Sequence, residues 1–294
     1  MLRPLISRVL QAVTFCLMQS DRDATRIRAL GVVPQRVMTT GNLKFDQPLP
    51  ATVGGVETWI KNHVLPAGRE LIVAGSTHPG EEDQLLCCYD RLRKQFPSLM
   101  LLLAPRHIER VSQLQAAVKA KGFSVALRSD LESSDRRTGN GAPEVPSDVV
   151  ILDTRGELAA VYRYAVVAFV GGTFIPVGGH NLLEPALWGK PVLFGPYTDH
   201  CAEVARLLLE AGGGRRVADS GELTVAIADL LNDRSALDRM GSAARSVVLE
   251  NRGALERTLD VIARVLDQAR RGMGSSDADQ RLRETHRAAD TLAH

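Results

Sequence analysis

The sequence lacks the features that mark several large classes of protein. Its net charge is only +2, from 36 Lys and Arg against 34 Asp and Glu, so no basic excess indicates a nucleic-acid partner. In the N-terminal segment, the uncharged stretch from Val9 to Met18 is shorter than the about 20 apolar residues that a membrane-spanning helix needs. No cleavage site of small residues follows it. We therefore interpret this segment as an ordinary helix that leads into a buried strand.

Motifs for metal binding and for several kinds of catalysis are also missing. The four cysteines have no metal-ligand spacing, and their small number favours a reducing compartment. We find no catalytic triad and no zinc spacing, and the absence of G-x-x-x-x-G-K-S/T excludes a P-loop ATPase. What remains is ordinary globular composition: 294 residues, 45% hydrophobic and 24% charged, enough for one large domain or two modest ones.

Short apolar runs alternate along the chain with helical patterns. Several of these runs are apolar without alternation, which is typical of strands buried on both faces. We predict strands at Thr14–Met18, Val37–Thr40, Leu71–Ala74, Leu99–Ala104, Phe123–Leu127, Val149–Leu152, Ala165–Val170, Pro191–Phe194 and Arg215–Ala218. We predict helices at 1–13, 21–30, 56–65, 81–95, 105–121, 153–164, 181–189, 199–211, 220–232, 234–249 and 252–271. This order indicates an α/β fold with a doubly wound parallel sheet covered by helices on both faces.

Polar loops follow four of the predicted strands. They are GSTHPGEE, PRHIER, DTRGEL and GGTFIPVGGHN, which begin at residues 75, 105, 153 and 171. Ligands of parallel α/β sheets bind at the carboxyl ends of the strands, so these loops predict one site at one edge. By contrast, residues 129–147 are rich in Gly, Pro and Ser and predict an exposed loop.

The chain is organised around residues 165–200, which combine a strand, a glycine-rich loop, a helix and a second strand. This order places backbone N–H groups and a helix N-terminus in front of an anion. Asn181-x-x-Glu184 has two interpretations. It is a capping-box variant that only starts a helix, or Glu184 accepts hydrogen bonds from the paired hydroxyls of a ribose. The long glycine-rich approach favours the second.

Other polar positions near these loops also have alternative roles. Arg106 is either a solvated charge or a bidentate contact to a phosphate or carboxylate, and its place between a strand and a helix favours the contact. His180 is a ligand contact or a partner in a loop hydrogen bond. Glu81 and Glu82 stabilise a helix N-terminus in the ordinary way, and we assign them no catalytic role.

Taken together, the loops resemble those of 3-deoxy-D-manno-octulosonate (Kdo) transferases, from about Leu5 to residue 265. The motifs that carry the resemblance occur in the same order: GNLKFD, GSTHPGEE, LLAPRHIER, DTRGEL and VAFVGGTFIPVGGHNLLEPALWGKPVLFGP. The resemblance implies a GT-B fold of two Rossmann-like halves and inverting transfer without metal or cofactor. It implies transfer of Kdo from CMP-Kdo to a lipid A precursor, at the cytoplasmic face of the inner membrane.

The resemblance also implies roles for particular residues. Lys44 matches the family lysine that stabilises the departing charge. Pro105 and Arg106 match the residues that hold the CMP phosphate or the Kdo carboxylate. The residues expected to line the CMP site are Arg155, Gly156, Glu157, Asn181, Leu182, Leu183 and Glu184, with Glu184 on the ribose. Arg155 departs from the pattern, since the family more often has an apolar residue there.

A larger departure concerns the N-terminal half of the family. That half carries a membrane-proximal anchor, the acceptor groove and a glutamate general base, and the resemblance places Met1 after all three. We therefore expect residues 1–40 to be a remnant of the acceptor domain, 41–271 to be the donor-binding domain and 272–294 to be a disordered polar tail. Without a base to deprotonate the acceptor, the isolated chain is expected not to transfer Kdo.

Two other functions fit parts of the pattern. A UDP-sugar GT-B enzyme or a nucleotide-sugar epimerase would share the fold and the glutamate on the ribose, but it would bind uracil. A non-catalytic nucleotide-binding module would bind nucleotide with no gain in activity when the other half is supplied. The paired PRH and GGHNLLEP motifs favour the transferase.

Overall fold

The computed structural model describes residues 3–48, 55–65, 68–131 and 147–271. The chain divides into two compact units, of which the first comprises Met1–Gln47 with Asn251–His294 and the second comprises Pro48–Glu250. The expected tail at 272–294 lies outside the described residues, as do residues 132–146 of the expected loop. Residues 128–131, at the start of that loop, are helical.

The first unit contains a small two-stranded sheet. Its elements are α1 (Arg3–Gln11), β1 (Cys16–Met18), α2 (Asp21–Ala29), β2 (Val37–Thr39), a 3-10 turn (Leu43–Asp46) and a C-terminal helix (residues 254–271). The two strands are parallel, with Cys16 opposite Val37, and both side chains are buried with those of Ala24 and Val32. The Ser20 hydroxyl caps α2, as the sequence predicts, by accepting a hydrogen bond from Asp23 N at 3.2 Å.

Within this unit, residues 40–46 are hydrogen-bonded to residues 253–257. The Asp46 carboxylate accepts hydrogen bonds from Gly253 N at 2.6 Å and Leu255 N at 2.7 Å, which caps the start of the C-terminal helix. Arg257 Nε donates to the Thr40 carbonyl oxygen at 2.8 Å. The unit therefore depends on two segments that lie more than 200 residues apart in sequence.

The second unit is built on a parallel sheet of seven strands. The strands are β3 (Glu70–Thr77), β4 (Leu99–Pro105), β5 (Val125–Leu127), β6 (Val149–Ile151), β7 (Ala165–Val170), β8 (Val192–Phe194) and β9 (Gly214–Arg216). Their order across the sheet is β5-β6-β4-β3-β7-β8-β9. The chain winds outward from β3 through β4 to one edge and then crosses back to β7 on the other side of β3. The topological switch point therefore lies between β3 and β7.

Helices cover both faces of this sheet. They are α3 (Val56–Trp59), α4 (Glu81–Gln95), α5 (Val111–Ala120), α6 (Leu158–Val161), α7 (Leu183–Leu187), α8 (Ala202–Glu210), α9 (Ser220–Asn232) and α10 (Arg234–Glu250). Strand β3 shows why both faces are needed, since Ile72 and Ala74 enter one apolar core and Leu71 and Val73 enter the other.

Each of the nine predicted strands is present, whereas several predicted helices are shorter or differently wound. The helix expected at 181–189 is only α7, and the helix expected at 105–121 is a 3-10 turn at Ile108–Arg110 followed by α5. The helix expected at 153–164 is only α6 followed by a 3-10 turn, because Gly156 adopts a left-handed φ of +84° that helical backbone cannot continue. The helix expected at 56–65 is α3 followed by a π-helical turn at Ile60–Val64. Among the described helices, none combines the length and the apolar character needed to cross a bilayer.

Candidate functional site

Polar loops converge at the carboxyl ends of β3 and β7, on either side of the switch point. The loop after β3 contains His78 and leads into α4. The loop after β7 spans residues 171–182 and leads into α7. The residues after β4 begin with Arg106, whose backbone N–H donates to the Thr77 carbonyl oxygen at 2.9 Å. The site predicted from the four loops therefore centres on neighbouring strands β4, β3 and β7.

A buried carboxylate joins the two central loops. Glu81, which has no exposed surface, accepts hydrogen bonds from the backbone N–H groups of Gly172 at 2.7 Å, Thr173 at 2.9 Å and Phe174 at 2.8 Å. Its second oxygen also accepts from His78 N at 3.0 Å. Three N–H groups of the glycine-rich loop, for which the sequence predicts an anionic partner, are thus bound by an anion of the protein itself.

The glycines of this loop allow close packing. A methyl group on Gly171 would lie 2.5 Å from the Ser76 carbonyl oxygen, so no side chain fits there. Gly172 has a φ of +68°, and a methyl group on it would lie 2.9 Å from the His180 ring. Ser76 itself has a φ of +55°, at a point where the β3–β4 register shifts. A strained non-glycine residue of this kind persists only where its surroundings hold it, and such residues cluster at functional sites.

Two imidazoles meet across the switch point. His78 Nε2 and His180 Nε2 lie 2.7 Å apart, and the His107 ring stands edge-on to His78 at a centroid distance of 5.6 Å. Burial lowers the pKa of His180 to about 4, and the charges of His78 and Arg106 act in the same direction. Burial is also the main cause that lowers the pKa of His78. Both rings are therefore neutral near pH 7. His180, for which a ligand contact and a loop hydrogen bond were both possible, forms the hydrogen bond.

Asn181 and Glu184 form a capping arrangement at the start of α7. Asn181 Oδ1 accepts from Leu183 N at 3.1 Å, and Asn181 Nδ2 donates to Glu184 Oε1 at 3.2 Å. Burial raises the pKa of Glu184, whereas the hydrogen bond from Asn181 and the positive charge of Arg106 lower it. Leu182 and Leu183 are buried, with 1% and 3% of their surfaces exposed. Of the four residues predicted here, only Asn181 and Glu184 have partly accessible side chains.

Arg106 and Pro105 end strand β4. Pro105 is buried opposite Thr77 in the strand register, whereas the Arg106 side chain is exposed. The positive charge of Arg106 acts to lower the pKa values of His78, His180 and Glu184. Arg106 follows β4 and Glu184 lies beyond β7, and these two strands flank β3, so both residues are placed at the carboxyl edge of the sheet.

The loop after β6 is held by a buried ion pair between Glu157 and Arg128, which the sequence did not reveal. Arg128 Nη2 lies 3.1 Å from Glu157 Oε1, both side chains are nearly fully buried, and Thr154 Oγ1 also donates to Glu157. Arg155 and Gly156 are exposed at the tip of the loop. Glu157 therefore shapes the loop through Arg128. The sequence signal for Arg128 was weak, because it stands just before a polar segment that resembles an ordinary loop.

Lys44 belongs to the first unit. It lies in the 3-10 turn Leu43–Asp46, where its backbone N–H donates to Asn42 Oδ1 at 3.1 Å and its side chain is exposed. Within residues 3–48, 55–65, 68–131 and 147–271, no group of three or more His, Cys, Asp or Glu side chains is arranged to hold a metal ion.

Replacing Glu81 by Gln is expected to destabilise the second unit strongly. Each Glu81 oxygen accepts two N–H groups, so an amide NH2 in place of either oxygen would face two buried donors. We expect the free energy of unfolding to fall by about 3 kcal/mol, measured by urea denaturation. Asp83→Asn, an exposed change in the same helical turn, is the control and should cost at most about 1 kcal/mol. Equal stability of the two variants would contradict this role of Glu81.

Acid is expected to destabilise the protein through the histidine pair. Because the folded-state pKa of His180 is lowered to about 4, the unfolded chain binds protons that the folded chain does not. Stability should therefore fall as the pH drops from the ordinary histidine pKa of about 6.5 towards 4. His180→Gln should show a smaller loss of urea midpoint between pH 7 and pH 5 than the wild type. His63→Gln, a change in the π-helical turn Ile60–Val64, serves as the control and should follow the wild type. An unchanged pH dependence in His180→Gln would refute the assignment.

Comparisons with known proteins identify sequences and a fold to which this chain is similar. A family model described as 3-deoxy-D-manno-octulosonic-acid transferase (kdotransferase) matches residues 1–47. The 3-deoxy-D-manno-octulosonic acid transferase of Haemophilus influenzae is 33% identical over 255 residues, which are 85% of this chain and 56% of that protein. The enzyme of the same name from Bordetella pertussis is 34% identical over 250 residues, 84% of this chain and 55% of that protein. The chain thus spans about half the length of these relatives.

A solved structure supports the fold. The C-terminal CMP-Kdo binding domain of WaaA from Acinetobacter baumannii matches with a TM-score of 0.56 and 23% identity, covering 65% of this chain and 93% of that domain. At this identity the likeness shows the fold alone, and it confirms the predicted α/β architecture of GT-B glycosyltransferases. With a family model at its N-terminal segment and relatives that match most of its length, the chain belongs to the 3-deoxy-D-manno-octulosonic acid transferase family.

Proposed function

We propose that the second unit binds CMP-Kdo as the sugar donor of a Kdo transferase. The observation that carries the proposal is the placement of Arg106 after β4 and of Glu184 beyond β7, the two strands that flank β3 at the switch point. The Arg106 charge also acts to lower the pKa of Glu184. A cation suits the phosphate or carboxylate of a nucleotide sugar, and a carboxylate suits the hydroxyls of its ribose. The names of the relatives supply the identity of the sugar.

Arg106 is proposed to bind the CMP phosphate or the Kdo carboxylate. Its exposed guanidinium presents a fork of donors that matches either group. Three of the N–H groups in the glycine-rich loop are engaged by Glu81, which leaves the donor's negative charge to cationic side chains. Pro105 would support Arg106 by ending β4 at this position.

Glu184 is proposed to accept hydrogen bonds from the ribose hydroxyls. Its carboxylate is partly buried and already holds Asn181 Nδ2, so it is oriented before a ligand arrives. Leu182 and Leu183, being buried, would contribute backbone contacts only. Arg155 and Gly156 are proposed to lie against the base or the sugar, with Glu157 holding their loop in place. Lys44 is proposed to stabilise the departing charge during transfer.

The acceptor in this proposal is a lipid A precursor, and the reaction takes place at the cytoplasmic face of the inner membrane. Support for this part comes from the family resemblance of the motifs alone. The chain spans about half the length of the relatives that it matches. We therefore propose donor binding and sugar transfer as two separate functions, each with its own test.

Donor binding is tested by calorimetric titration with CMP. The wild type should bind CMP more tightly than UDP. Arg106→Ala should weaken CMP binding by about tenfold to a hundredfold, because a charge-assisted contact is lost. The matched control is Arg206→Ala, which removes an exposed arginine of α8 that pairs with Glu210. Equal affinity for UDP would favour a UDP-sugar enzyme, and CMP binding unaffected by Arg106→Ala would refute the site.

Transfer is tested separately with CMP-Kdo and a lipid A precursor. Inverting transfer needs a base to remove the proton of the acceptor hydroxyl, and we assign no residue of this chain to that role. We therefore expect the chain alone to bind donor without transferring Kdo, as followed by mass spectrometry of the lipid. Formation of the Kdo-modified lipid by the chain alone would contradict this expectation.

A further inference from the structure

The His78–His180 contact joins two loops that are 102 residues apart in sequence. The two Nε2 atoms lie 2.7 Å apart, the ring planes differ by 1° and the ring centroids are 5.0 Å apart. A hydrogen bond in this geometry needs one protonated Nε2 and one Nε2 with a free lone pair. The contact therefore excludes a state in which both rings are fully protonated.

This hydrogen bond connects the segment after β3 to the end of the loop after β7. On one side, His78 follows Thr77, whose carbonyl oxygen accepts the N–H of Arg106. On the other side, His180 precedes Asn181, which caps α7 and donates to Glu184. The imidazole pair therefore stands between the segment that carries Arg106 and the segment that carries Glu184.

The surrounding charges keep the pair in the state that the bond requires. Glu81 and Glu82 face His78, but the first is bound by backbone N–H groups and the second by Arg110 at 3.1 Å. The cation of Arg106 and the rings of His107 and His200 oppose protonation. Two neutral rings can then share one N–H···N hydrogen bond.

We propose that His78 and His180 are positioning residues of the candidate donor site, whose mutual hydrogen bond holds Asn181 and Glu184 at a fixed distance from Arg106. This inference rests on the proposed function for its ligand. Glu81 supports the same loop through hydrogen bonds from residues 172–174. Gly179 N donates to the Gly172 carbonyl oxygen at 2.8 Å, and the histidine bond, one residue further on, ties the end of the loop to the segment after β3.

Paired substitutions separate the hydrogen bond from the presence of a side chain. The amide nitrogen or oxygen of Gln reaches the position of a histidine Nε2, whereas Asn is too short to reach it. His180→Gln should therefore keep the bond and His180→Asn should lose it, and the same holds for His78→Gln and His78→Asn. Both Asn variants should weaken CMP binding about tenfold, and both Gln variants should stay within about threefold of the wild type. The double Asn variant should bind no more weakly than either single variant, because all three lack the same bond.

A second readout does not depend on ligand. Amide hydrogen exchange of residues 171–182 should be faster in His180→Asn than in the wild type and unchanged in His180→Gln. His107→Asn is the control, since it removes a neighbouring imidazole without touching the bond. If the wild type binds no CMP, the proposed function fails, and the exchange rates alone decide the positioning role. Equal binding or equal exchange in the Asn and Gln variants would overturn the inference.

Discussion

The candidate site depends on one buried carboxylate. Glu81 has no exposed surface, and a carboxylate in such a place is stable only if its oxygens are fully hydrogen-bonded. Its partners are backbone N–H groups of two loops that follow different strands, so the charge that begins α4 also fixes the glycine-rich loop. Because both loops must approach closely to satisfy it, Gly171 cannot carry a side chain, whose Cβ would lie 2.5 Å from the Ser76 carbonyl oxygen. The strained backbone of Ser76 lies at the same junction.

This arrangement changes the role of the glycine-rich loop. In many nucleotide-binding folds such a loop presents its N–H groups to a phosphate. Here the N–H groups of residues 172–174 bind Glu81, so this part of the loop is held to the start of α4 and acts as a support. The buried Arg128–Glu157 pair gives similar support to the loop after β6.

Much of the fold was predictable because it rests on local patterns. Nonalternating apolar runs marked the strands, and the spacing of apolar residues marked long helices such as α4, whose bounds agree with the prediction. The failures have local causes as well. A helix was predicted to start at Asp153, but Gly156 has a left-handed backbone conformation, so the helix begins only at Leu158. Likewise, β3 continues to Thr77, beyond the predicted Ala74, because its last residues are held by the Glu81 loops and by pairing with Pro105.

The sequence by itself determined the parallel α/β architecture and the edge at which the polar loops meet. These follow from periodicity and from the rule that parallel strands end at one edge. Only the tertiary structure decided the partners. Glu81 was expected to act on its own helix, His180 had two possible roles, and Arg128 was unnoticed. A buried charge or imidazole takes whichever donor or acceptor the fold brings within about 3 Å, and that distance is set by residues far away in sequence.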